Sequence, residues 1–174
     1  MAVRRHRHRG ETRVVRYWGS EGGYSVPDPA KAVDLNRYMG RWYEQYRYDA
    51  SFEQGLEAVT ADYSLNRDGS VRVVNQGRKR GPNGKLRKSV GKARIEDKAT
   101  SAKLKVSFFG PFYGNYWVLD HGDDYEWSIV GEPSGRYLWV LTRNAKPGAA
   151  LLIELEARVR ALGYNWSMIH FTRH

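Results

Sequence analysis

From Gly40 onward the chain is a succession of short alternating segments joined by links of a few residues, and this pattern constrains its fold more than any other feature. Val59, Ala61, Tyr63 and Leu65 alternate with Thr60, Asp62, Ser64 and Asn66, as a half-buried strand requires. Asp68-Gly69 is a hairpin turn signal, after which Val71 and Val73 flank Arg72. A second turn, Gly81-Pro82-Asn83-Gly84, leads into a strand over 86–96. Further strands are expected over 103–108, 113–119, 125–131 and 136–142, with turn-rich breaks at His121–Asp124 and Pro133–Gly135. Counting the one that opens at Gly40, there are eight strands. Links this short favour antiparallel neighbours, and closing eight of them into an up-and-down barrel removes the exposed edges.

The period changes after Pro147. Leu151, Leu152, Leu155, Val159 and Leu162 share one helical face, while Glu154/Arg158 and Glu156/Arg160 pair at i,i+4 on the remainder. Gly163 suits the C-terminal cap, and a short final strand is expected within 166–171. The expected fold is therefore all-β: an eight-stranded antiparallel barrel, one C-terminal helix packed outside it, and a short last strand.

Residues 1–33 have a different character. They hold seven Lys/Arg against three Asp/Glu, a net of +4 out of the chain's +10. Arg4, Arg5, Arg7 and Arg9, interleaved with His6 and His8, have no apolar run after them, so neither a secretory nor a twin-arginine signal is read here. Residues 19–29 are rich in Gly, Ser and Pro and read as a linker. Val14–Trp18 is long enough to dock on a domain but not to form one. The expected organisation is a basic tail and linker over 1–33 and one barrel domain over 34–174. No apolar run reaches the length of a membrane-spanning helix, and there is no Cys for a disulfide or a lipid-modified N-terminus. The basic balance favours anionic partners, an anionic membrane surface among them, through an attraction that salt screens.

The strand that opens at Gly40 carries a Gly-x-Trp-Tyr sequence, with Gly40 placed to let the backbone bend and Trp42 large enough to plug one end of a small barrel. The Leu138–Thr142 stretch ends at Arg143, where the series of strands closes. Together with Phe52-Glu53-Gln54-Gly55-Leu56-Glu57, the string from Leu104 to Asp120, Val130-Gly131-Glu132-Pro133 and Tyr137–Arg143, these segments resemble the lipocalin family, in the branch of bacterial lipocalins related to apolipoprotein D. The resemblance runs from about Asp34 to about Ile169. It implies that Gly40, Trp42 and Arg143 are a structural signature, with the arginine lying across the tryptophan at the closed end. Asp124-Tyr125 matches the family's second conserved region only in part. The resemblance also implies a place in the bacterial periplasm or outer membrane. Members of this branch often carry a leader ending in a lipidated Cys, whereas the chain as given reads as soluble or cytoplasmic.

A barrel of this size holds one small ligand. With Trp42 facing inward, a period of two puts Glu44, Tyr46 and Tyr48 on the same side. Tyr137, Trp139 and Leu141 share a face, as do Leu104, Val106 and Phe108; Val59, Ala61, Tyr63, Val71 and Val73 complete an apolar lining. Phe109, Phe112 and Tyr113 are placed at the rim around Gly110-Pro111. The candidate ligand-binding residues are Glu44, Tyr46, Phe52, Tyr63, Phe108, Tyr113 and Trp139, with Glu44 and Tyr46 as polar anchors for a headgroup. Arg47, Arg78, Lys79, Arg80, Lys85 and Arg87 lie near strand ends, where a basic rim would attract an anionic head. The expected ligand is a fatty acid or lysophospholipid. Burial of its tail at about 0.8 kcal/mol per CH₂, less the ordering costs, corresponds to micromolar to high-nanomolar affinity.

Other readings find less in the sequence. No Cys nucleophile or His-x-x-x-His set is present, so neither an enzyme nor a metal or other cofactor is expected, although a few relatives in the family are enzymes. Haem would need an axial His, and none falls on an inward strand position. Nucleic acid could engage the Arg-rich tail and the aromatics, but the two are separated along the chain. An aromatic-ringed mouth can pair with a second copy, which leaves monomer and homodimer both open.

Overall fold

The computed structural model describes residues 26–109 and 112–174. The Arg-rich cluster and Val14–Trp18 lie outside the described residues, as do Gly110-Pro111 and the side chains of Phe109 and Phe112.

The domain begins with a cap. The Asp34 carboxylate accepts hydrogen bonds from the backbone N–H groups of Asn36 (3.0 Å) and Arg37 (3.4 Å), starting the one-turn helix α1 (Leu35–Tyr38). Gly40 follows at φ +98°, a left-handed conformation, and a Cβ there would lie 3.3 Å from the Arg143 guanidinium. The glycine is thus required both by the turn out of α1 and by the arginine packed against it.

The chain then builds β1 (Gly40–Tyr48), β2 (Leu56–Leu65), β3 (Val71–Lys79), β4 (Leu86–Ile95), β5 (Lys103–Phe109), β6 (Phe112–His121), β7 (Trp127–Gly131) and β8 (Leu138–Thr142). Each pairs antiparallel with the next, and β1 pairs with both β2 and β8, closing the barrel. The first half of β1 runs beside β2 (Gly40 opposite Tyr63), but its second half leaves it. The last strand, β9 (Ile169–Phe171), pairs with β1 there, and the Arg173 carbonyl accepts a 2.7 Å bond from the Ala58 N–H of β2. The C-terminus is therefore a wedge in the barrel wall.

Two apolar cores result. One fills the barrel around Trp42, Tyr63, Val71, Val73, Leu104 and Val118. The other lies between the outer face of β7 and β8 and helix α2 (Ala149–Ala161), where Leu155 and Val159 meet Ile129, Leu138 and Val140. Strand β7 is buried at all five residues because the barrel interior covers one face and the helix side the other. The ion pairs Glu154–Arg158 and Glu156–Arg160 form on the exposed face of α2, and Gly163 ends it at φ +94°. Residues 26–33, the end of the stretch expected as tail and linker, run along the barrel. Val26 joins the outer core and Val33 the inner one, and the Ala30 N–H bonds the Leu119 carbonyl at 2.8 Å.

Two local expectations are corrected. Tyr125 precedes β7 in a left-handed turn at φ +57° and stacks on His121, so that strand starts two residues later than its sequence pattern implies. Residues 166–168 form a 3₁₀ turn, which leaves only 169–171 as strand.

Candidate functional site

The barrel encloses a cavity of about 990 Å³, closed at one end and open at the other. At the closed end the Arg143 guanidinium lies 3.8 Å from the Trp42 ring and donates to three carbonyls: Arg37 (2.8 Å), Arg41 (3.0 Å) and Tyr125 (3.2 Å). Trp42 is fully buried, and its indole N–H donates to the Tyr38 carbonyl at 2.9 Å. Cation–π attraction and three charge-assisted bonds thus lock α1 across the barrel's base.

Above this plug lies a chain of hydroxyls. Tyr38 Oη is 2.8 Å from both Tyr116 Oη and Ser128 Oγ, and Tyr116 Oη is 2.8 Å from Tyr63 Oη. Burial pushes the Tyr38 phenol up to about 12 and raises Tyr63 and Tyr116 as well, so the floor of the cavity stays neutral at physiological pH. The middle of the cavity is apolar, walled by Ala61, Val73, Ala93, Leu104, Val106 and Leu141. Phe108 lies over Gly91, where a Cβ would come within 2.7 Å of its ring; the glycine makes room for the aromatic in the wall.

Near the mouth the wall contains charge. Arg47, fully buried, donates to Glu44 (2.9 Å), to Asp49 (3.1 Å) and to the Leu56 and Glu53 carbonyls (3.0 Å each). Glu44 is 1 % exposed and also accepts from the Thr172 hydroxyl at 2.6 Å. Burial, followed by the charge of Glu53, holds the Glu44 carboxyl well above the usual carboxylate range despite Arg47. Glu53 accepts from the Trp139 indole N–H, while its buried Oε2 has no hydrogen-bond donor and lies 3.8 Å from Arg47. These bonds fasten the 49–55 loop over the mouth. Tyr137 and Trp139 stack at 5.8 Å, with Phe52, 63 % exposed, at 5.8 Å and 6.4 Å from them.

Six of the seven sequence candidates border the cavity: Glu44, Phe52, Tyr63, Phe108, Tyr113 and Trp139. Tyr113 sits at the rim, with the Arg94 guanidinium 5.9 Å from its ring. Tyr46 does not border it. The β1–β8 register shifts between Glu44 and Tyr46, and this bulge turns Tyr46 outward against Trp166 and Phe171 while Arg47 turns in. Tyr48 follows Tyr46 into the outer core. Sequence reasoning missed Tyr38 and Tyr116, put Tyr137 on the face of Trp139 and Leu141 without naming it a candidate, and placed Arg47 only among rim cations. The signal for Tyr116 was its position opposite inward Leu104; for Arg47 the signal was hidden by the bulge. Among the described residues no group of three or more His, Cys, Asp or Glu is disposed to hold a metal.

The family model "Lipocalin-like domain" matches residues 33–174. The chain is 42 % identical to "Outer membrane lipoprotein Blc" of Vibrio cholerae over 71 % of its length and 74 % of the relative's. It is 46 % identical to the protein of the same name from Escherichia coli K12 over 69 % of the chain and 71 % of the relative. Its fold superimposes on insecticyanin from the tobacco hornworm Manduca sexta with a TM-score of 0.69, at 19 % identity and 87 % coverage of each chain.

Proposed function

The chain belongs to the lipocalin family, and from that premise we propose that it carries or stores one single-chain amphiphile, a fatty acid or lysophospholipid, with the acyl chain in the barrel and the head at the mouth. The observation that carries this reading is the polarity gradient of the cavity. Its floor is neutral and its middle apolar, and charge enters only toward the opening, where Lys79, Arg87 and Lys88 border it. A tail inserted first buries CH₂ groups against Ala, Val, Leu and Phe, while a head inserted first would lose its hydration with no cation to receive it. The volume is at the upper end of the range for small-molecule sites, about 300–1,000 Å³, which suits a long acyl chain. Phe52, Tyr63, Phe108, Tyr113 and Trp139 are assigned to ligand contact, and Glu44 to holding the wall. The relatives named as outer membrane lipoproteins favour a role in bacterial envelope lipid handling.

Titration of tryptophan fluorescence in delipidated protein tests this reading. Fatty acid and lysophospholipid should each give saturable one-site quenching through Trp139, weakened in a folded Trp139→Ala variant. No saturable signal with either lipid contradicts it.

A further inference from the structure

The hairpin of β3 and β4 carries a charge pattern that the barrel does not need. Residues 76–95 contain eight Lys/Arg and no Asp/Glu. Arg78 reaches the Gly84 carbonyl (3.1 Å), Lys92 pairs with Asp68 (2.9 Å), and Arg94 lies over Tyr113. The other five, Lys79, Arg80, Lys85, Arg87 and Lys88, are exposed and form no ion pair with any described residue. The pairing of β4 with β5 begins only at Lys92, so the hairpin projects beyond β5 as a two-stranded ribbon at the mouth, with residues 85–90 all exposed. Two of those residues are apolar: Leu86 is 45 % exposed and Val90 47 %.

The neighbouring loop continues the surface. The Arg80 N–H donates to the Gly55 carbonyl at 3.2 Å, tying the hairpin tip to the loop that displays Phe52. The acids of this region already have partners. Asp49 pairs with Arg47, Glu53 with Trp139 and Arg47, and Glu57 with His170 and the Arg173 N–H. Unpaired cations are left outside, interspersed with exposed apolar side chains, around the opening of an apolar cavity.

We propose that this hairpin, with Phe52 beside it, is a docking surface for an anionic phospholipid bilayer, and that docking sets the barrel mouth against the membrane. The occupant follows from charge and composition. Five free cations without a carboxylate match a layer of phosphates, each worth an appreciable increment of attraction within a Debye length of the surface. Leu86, Val90 and Phe52 are the side chains that enter the interfacial layer. A nucleic acid would also satisfy the charge, but residues 76–95 contain no aromatic on which a base could stack. The placement deepens the lipid-carrier reading and rests on it for its purpose, because a tail would pass between bilayer and cavity without crossing water.

The test is co-sedimentation of the full chain with vesicles of phosphatidylcholine alone and of phosphatidylcholine with phosphatidylglycerol in a two-to-one ratio, at low and high ionic strength. Binding is expected only to the anionic vesicles and only at low salt. Arg80→Glu/Lys85→Glu changes two exposed tip residues that do not border the cavity, and it should weaken vesicle binding by about tenfold or more. Titration of the same variant in vesicle-free buffer with lysophosphatidylcholine, whose zwitterionic head has no net charge for the rim to attract, should match wild type. Neutralising Arg4, Arg5, Arg7 and Arg9 to Ala should cost less than the hairpin variant.

Equal binding to neutral vesicles, or loss of binding from the tail variant alone, overturns the proposal. So does tighter binding to a single-stranded oligonucleotide that depends on Arg80 and Lys85. If vesicle binding behaves as expected while no fatty acid or lysophospholipid binds in solution, the docking surface stands and the carrier reading falls.

Discussion

Two arginines divide this molecule, Arg47 fully buried and Arg143 half-buried. At the closed end Arg143 meets carbonyls and the face of Trp42; toward the mouth Arg47 meets three carboxylates and the loop that overhangs the opening. The first has no carboxylate partner among the described residues, so no acid has to stay ionised to hold it. The second sits in a cluster where Glu44 is pushed toward its neutral form and Glu53 Oε2 lacks a donor. The closed end is built for rigidity, and the open end holds its loop through charges that respond to what surrounds them.

The comparison breaks first at Trp42. Trp42→Ala empties the plug, removes the surface on which Arg143 lies and is expected to cost about 3–5 kcal/mol, lowering the melting temperature by on the order of 10 °C. A loss near zero in thermal unfolding would show that the closed end is not the stabilising one. Arg47→Leu is expected to cost less, about 2–3 kcal/mol, because Glu44 can take up a proton once its cation is gone. Its separate signature is faster proteolysis within residues 49–55, and an unchanged cleavage pattern would show that Arg47 does not hold the loop.

The smallest effect is one of slope. Burial raises Glu44 above its unfolded value, so its contribution to stability is complete below the ordinary carboxylate range and is lost as pH rises through the raised value. Glu44→Gln is neutral throughout. Relative to wild type it should gain stability as pH goes from acid to neutral, read from denaturant midpoints across that range. Parallel pH profiles would contradict the assignment.

The two ends were also unequally legible. Gly40, Trp42 and Arg143 could be read because the segments that carry them resemble the lipocalin family, and the resemblance implied the arginine across the tryptophan. The strand pattern was legible from alternation and turn signals; β7 was expected too, with its start placed two residues early, since burial on both faces erases alternation there. The mouth was harder to read. One bulge after Glu44 exchanged Tyr46 for Arg47, and a period of two carries no record of a bulge. Nothing local marked β9 as the wedge between β1 and β2, because its pairing spans more than a hundred residues of chain. The packing of 26–33 on the barrel was concealed by a composition that suits a linker equally well.

The central claim is that the cavity itself receives the acyl chain. Val106→Trp tests it most directly, since Val106 is a half-buried wall residue at mid-depth and an indole there takes up the space a tail needs. Calorimetric titration of delipidated wild type and Val106→Trp with lysophospholipid should give one site in the first and at least about tenfold weaker binding in the second, at a stability cost of about 1–3 kcal/mol. Equal affinity in the two proteins, with the plugged variant folded, would place the lipid outside the barrel and contradict the account.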